Sequence, residues 1–238
     1  MILSSRYLCA LLLAFVLIAS CNESDSVVEL NDVEVLEIIQ SMTFSGESLL
    51  LDQLSDNGKN NDFDFSEFCD APILETFTGD YNRDDIMITY NSKLSIEVTC
   101  IELPGSIALP EQIIFDVSTD ADYTRPVIDA AYTSVISGTV TEILSIDPLL
   151  INYDITANGS QVLTVREERT ALSTLSFEVT DLAIDKTSFE IISGLGSFVL
   201  DGTVSGDPFS YTGAISFNGG NMATIELNGN SYEIDWNF

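Results

Sequence analysis

The residues of this chain with chemistry to offer are its four cysteines, at positions 9, 21, 69 and 100, and its 38 acidic side chains. Histidine is absent altogether. That excludes Ser-His-Asp and Cys-His nucleophilic catalysis, and with them the histidine-containing zinc and haem sites. The only lysines are Lys59, Lys93 and Lys186; none closes a Ser-x-x-Lys motif, and no phosphate-cradling glycine loop occurs. Two carboxylates suffice for glycoside hydrolysis at separations of about 5–5.5 or 6.5–9.5 Å. A sequence this rich in acids nominates no particular pair, so the chain is expected to be non-enzymatic, with a carboxylate-based glycan hydrolase as an alternative.

The first cysteines belong to a targeting segment. Arg6 supplies a positive start, and an apolar run of about 13 residues follows from Tyr7 to Ala19. A membrane-spanning helix needs about 20. The run ends Leu17-Ile18-Ala19-Ser20-Cys21, with small residues at the two positions before the cysteine. This resembles the lipobox of bacterial lipoproteins, with Ile18 where Leu is commonest and Ser20 where Gly or Ala is commonest. The resemblance implies removal of residues 1–20 and attachment of lipid to Cys21. Each buried methylene contributes roughly 0.8 kcal/mol, so several acyl chains would hold the protein firmly on a membrane. Residues 21–30 then read as a lipidated acidic tether. By analogy with lipoprotein sorting, Asn22 and the acids after it imply an outer membrane lipoprotein of a Gram-negative bacterium that faces the cell exterior.

On that reading Cys9 leaves with the signal and Cys21 carries lipid. Cys69 and Cys100 remain as an even pair in an oxidising compartment, which is expected to be a disulfide. The bond would close a loop of about 32 residues and contribute about 3–4 kcal/mol in the chain-entropy model. The rival, a free catalytic thiol, has no histidine to activate it.

One acidic stretch has metal-ligand spacing. Counted from Asp56, the side chains of Asp56, Asn60, Asp62, Asp64 and Glu67 fall at positions 1, 5, 7, 9 and 12, which partly resembles an EF-hand loop. Gly58 stands at the position-3 ligand and Asn61 at the turn glycine, so a solvated loop is expected. No metal or cofactor is expected, with calcium at these five residues as the alternative. The net charge of −30, one unit more negative once Arg6 is removed, repels nucleic acid and anionic headgroups.

The elements that must position these residues are mostly strands. Leu94, Ile96, Val98 and Cys100 alternate with Ser95, Glu97 and Thr99, the period-two pattern of a half-buried strand. Ile113, Phe115 and Val117 repeat it. Asn158-Gly159, between two apolar runs, predicts a hairpin turn. Val165 to Leu175 admits a helical turn but reads better as strand. Phe198 to Val204, Phe209 to Phe217, Ala223 to Leu227 and Tyr232 to Trp236, with turns at 218–221 and 228–230, predict a four-strand antiparallel meander. Before residue 85 the pattern is mixed. Val28, Val35, Leu36, Ile39 and Met42 suit helix and strand about equally, and Asn31 or Asp32 would cap a short N-terminal helix.

The expected fold is therefore all-β: an antiparallel β-sandwich or open barrel over 85–238, preceded by an N-terminal extension over 31–84. The C-terminal strands and Asn-Gly turns resemble those of uncharacterised β-rich lipoproteins of Gram-negative bacteria, a likeness that implies no activity. The expected function is a binding or interaction module on a lipid tether, with an envelope protein or a glycan as partner. Tyr81, Tyr123, Tyr132 and Tyr153 are its candidate sugar contacts. The alternative is a carrier that shelters lipid or another hydrophobic ligand in a half-open barrel.

Overall fold

The computed structural model describes residues 29–43, 69, 72–83, 85–104, 107–165, 168–188, 190–220 and 222–235. The signal segment, Cys21 and the acidic loop with Asp56, Asn60, Asp62, Asp64 and Glu67 lie outside them. The described residues hold one helix, α1 (residues 32–43), and ten strands. The strands are β1 (Ile73–Arg83), β2 (Ile86–Leu103), β3 (Ile107–Arg125), β4 (Ile128–Thr141), β5 (Leu149–Leu163), β6 (Arg169–Ile184), β7 (Ile191–Val204), β8 (Asp207–Gly219), β9 (Met222–Leu227) and β10 (Asn230–Asp235). They form a single antiparallel sheet in sequence order, each strand hydrogen-bonded to the next, without a β1–β10 pairing to close it. The all-β expectation holds, in its unclosed, one-sheet form. The C-terminal meander is β7 to β10. The sheet begins earlier than residue 85, since β1 pairs with β2 from Ile73↔Ile96 onward.

Period-two alternation decides which face is buried. In β4, Ile128, Ala130, Tyr132, Ser134 and Ile136 are buried while the residues between them are exposed. The same alternation runs through β3, β5 and β6, so one face of the sheet is core and the other meets solvent. The inner face is filled with large side chains. Phe115, Tyr123, Phe177 and Phe198 are each at most 2% exposed.

The helix shows that the sheet curls. Through its side chains and the residue before its cap, α1 contacts Arg125 at the end of β3, Arg169 at the start of β6, Tyr211 in β8 and Tyr232 in β10. Twelve residues of helix span about 18 Å. In a flat sheet β3 and β10 would stand about 34 Å apart. The strands must therefore wrap around the helix, which lies across one mouth of the half-open barrel. Val35, Ile38, Ile39 and Met42 point into the common core.

Two sequence ambiguities resolve on local grounds. Residues 32–43 are helical because Asn31 and Glu34 form a reciprocal capping box: the Asn31 side-chain oxygen accepts from the Glu34 amide at 2.9 Å, and the Glu34 carboxylate accepts from the Asn31 amide at 2.9 Å. Asn158-Gly159, expected as a hairpin turn, instead lies inside the continuous strand β5, paired on both sides with Thr133 and Tyr132 of β4 and with Thr174 and Ser173 of β6. The glycine serves packing. A Cβ at Gly159 would stand 2.6 Å from Gln161 Nε2 and 3.1 Å from Tyr132 Cβ. The Asn228-Gly229 turn does form, with both residues at positive φ (52° and 78°), and it joins β9 to β10.

Cys69 and Cys100 are joined by a disulfide, with their Cα atoms 5.6 Å apart. The bond pins the chain ahead of β1 to the far end of β2, beside the bridge between Cys69 and Val98.

Candidate functional site

Two places gather polar side chains, and they differ in what those side chains are free to do. The first is the seam between α1 and the barrel mouth. Glu34 is fully buried and forms an ion pair with Arg169, whose side chain is 5% exposed. Glu37 meets Arg125 at 3.1 Å, and Arg125 also reaches Asp85 at 3.5 Å and Gln40 at 3.3 Å. Burial pushes the Glu37 carboxyl above its usual range, against the pull of Arg125. Asp32 accepts from Tyr232 and from Asn228 and Asn230 at 2.8 and 3.2 Å. The hydrogen bonds from Tyr232 and Asn228 hold its carboxyl below the usual value. Deeper in, Ser173 donates to Gln161 at 2.9 Å, and both lie against the Met42 sulfur. Most of these groups are taken up by one another, although among the described residues the buried Nε atoms of Arg125 and Arg169 have no hydrogen-bond partner. They fix where the helix sits, and they leave little for a ligand.

The second place is on the solvent face. A trough of about 820 Å³ crosses the outer surface from Thr78 in β1 to Leu172 in β6. Neighbouring strands lie about 4.8 Å apart, so the trough is about 24 Å long. Two rows of paired residues build it. One runs Asn91, Asp120, Thr133, Asn158 on β2, β3, β4 and β5; the other runs Thr89, Asp122, Ala131, Ser160 and ends on Leu172 of β6. All of these side chains are exposed. They share a face because each is an outward position of an alternating strand, and they are shallow because Thr, Ser, Asn and Ala leave room that longer residues would fill. Asn158 accepts from Thr174 at 2.8 Å, which orients its amide. Among the described residues Asp120 and Asp122 make no ion pair, and no lysine or arginine lines the trough. The trough is open along its length.

A smaller depression of about 360 Å³ lies further round the outer face, between Asp154, Glu178 and Val199.

Of the tyrosines expected as sugar contacts, Tyr132 borders the trough from β4 and Tyr123 stands beside Arg125 at the α1 seam, but both are buried, and Tyr81 and Tyr153 lie at neither place. Tyr123, Tyr132 and Tyr153 are core residues, 1%, 4% and 6% exposed, and Tyr81 is half-buried against the same core. Each occupies an inward position of its strand, where an aromatic ring contributes more by burial than it would on the polar face. The residues that do line the trough were visible in the sequence only as the polar half of an alternating pattern, and Asn158 was hidden inside an apparent turn. Among the described residues no three carboxylates or cysteines converge as a metal site, and no helix there is long and apolar enough to cross a membrane.

No family model, no curated protein and no solved structure matches this chain.

Proposed function

We propose that this chain is a lipid-anchored, non-enzymatic binding module of the bacterial cell envelope, held by Cys21 on the outer membrane and facing the exterior, with the outer trough as its binding surface. The observation that carries the reading is the contrast between the two faces of one sheet. The inner face is packed with Phe115, Tyr123, Phe177 and Phe198 and crossed at its mouth by α1. The outer face holds an 820 Å³ trough lined with hydrogen-bonding side chains. A carrier of lipid would need apolar room inside, where the described inner face is filled with these side chains; a binding module needs a recess on the solvent face, with hydrogen-bonding groups among its lining residues. The lipobox resemblance at Leu17 to Cys21 supplies the address, and the strong negative charge supports a surface kept clear of anionic headgroups.

The test is amide chemical-shift mapping on the full-length protein, using polysaccharide and protein fractions of the bacterial envelope as probes. The reading expects perturbed amides to cluster on β2 to β5 around Asn91, Asp120, Thr133 and Asn158. Perturbations confined to inward residues would favour the carrier, and confinement to the turns would remove the trough from the account.

A further inference from the structure

We infer that the trough takes an uncharged polyhydroxylated chain, that is, a neutral oligosaccharide; the inference rests on the binding-module reading and names its ligand class. Recognition here must come from side chains. The floor is the middle of a sheet, where strands β2 to β5 are each paired on both sides, so their backbone donors and acceptors are used in the ladder. A peptide laid on the β2–β5 floor of the trough finds no free strand edge there and no pocket for alternate side chains, the two features by which extended peptides are read.

What the side chains offer suits hydroxyl groups. Asp120 and Asp122 follow one another on the outward face of β3, with Cα atoms about 7 Å apart, and neither carboxylate has a partner among the described residues. Ionised carboxylates only accept, and they accept well from hydroxyls. Asn91 on one side and Asn158 on the other supply both amide donors and acceptors, and Thr133 and Ser160 add hydroxyls that do either. A sugar hydroxyl also donates and accepts, so this mixture matches it group for group. Ala131 and Leu172, the latter 56% exposed, give the trough an apolar end against which the C–H face of a sugar ring can lie.

Charge narrows the class. With no cation in the lining and a chain carrying −30 overall, phosphorylated and uronic-acid chains are repelled. A length of about 24 Å accommodates four to five pyranose units, at about 5 Å each, laid across the strands.

The experiment uses full-length protein in a detergent without a sugar headgroup. Isothermal titration and a glycan array present three probe sets: neutral hexasaccharides of differing linkage, an oligogalacturonate, and cationic probes (a chitosan hexamer and a lysine-rich peptide). The inference expects at least one neutral hexasaccharide to bind, with little change between 50 and 500 mM salt. It expects Asp122→Ala and Thr133→Arg each to weaken that binding at least tenfold, and Asp201→Ala, on the outer face of β7 beyond the trough, to leave it unchanged. Variant folding is checked by the retained far-ultraviolet spectrum and urea midpoint. If only the cationic probes bind, salt-dependently and with loss in Thr133→Arg, the ligand class is overturned while the trough stands as a binding surface. If no probe's binding responds to Thr133→Arg, the trough reading falls as well.

Discussion

At the scale of single residues, the Glu34 carboxylate has two tasks. One oxygen closes the capping box with the Asn31 amide, and the other meets Arg169. Glu34→Gln keeps an arm that can reach the cap but removes the charge, so it isolates the ion pair. Breaking one side of a buried pair leaves the other charge uncompensated, at a cost of about 3–5 kcal/mol. Glu34→Gln and Arg169→Met should therefore each lower the urea midpoint markedly, and Glu34→Leu combined with Arg169→Met should recover much of the loss. Glu37 makes a different prediction, about pH. Burial raises its carboxyl above the ordinary 4.5, so the folded protein holds that proton at a pH where the unfolded chain has released it. The stability linked to the neutral form is present below the unfolded value and is lost as pH rises through the folded one. Glu37→Gln has no such proton to lose. Measured against wild type by urea unfolding, the variant should gain relative stability between pH 4.5 and 7. The ion pair was not legible in the sequence, because Glu34 and Arg169 are 135 positions apart and only the curl of the sheet brings them together. The trough residues were hidden for another reason. Asp120 and Asp122 look like any solvated face of an alternating strand until the neighbouring strands set Asn91 and Thr133 beside them.

At the scale of elements, the strands were legible and their lengths were not. Alternation located β2, β3 and the C-terminal meander, because a period of two with one apolar face has few other solutions. The Asn158-Gly159 pair misled because turn chemistry is a local preference, whereas Gly159 answers to the Tyr132 and Gln161 side chains packed beside it. Gly159→Ala places a methyl in that contact and should destabilise by about 1–3 kcal/mol, the range for overpacking. A true turn glycine would show no dependence on Tyr132, so a Gly159→Ala and Tyr132→Leu cycle separates the two explanations. The helix was undecided by apolar spacing alone, although its cap stood in the sequence as Asn31 and Glu34, three apart. Asn31→Ala should cost about 1 kcal/mol, seen as a lower urea midpoint at constant slope.

At the scale of the whole molecule, the sheet has two faces with separate roles and two constraints that hold its start in place. The disulfide ties Cys69, ahead of β1, to Cys100 of β2. Its removal in a Cys69→Ser, Cys100→Ser double variant should cost about 3–4 kcal/mol by the loop-entropy argument, measured as a lowered thermal midpoint. The second constraint is α1, which locks the chain just after the proposed tether into the barrel mouth. A tether of nine residues from Cys21 reaches at most about 30 Å, so a lipid there would hold that mouth toward the membrane and leave the loops at the other end of the strands pointing away. The direct test of a lipid-held envelope protein is labelled palmitate incorporation followed by membrane fractionation, on wild type and Cys21→Ala. The account predicts label in the wild-type protein and none in Cys21→Ala, which should move to the soluble fraction. A wild type that takes up no label, or a Cys21→Ala protein that stays with the membrane, would contradict it.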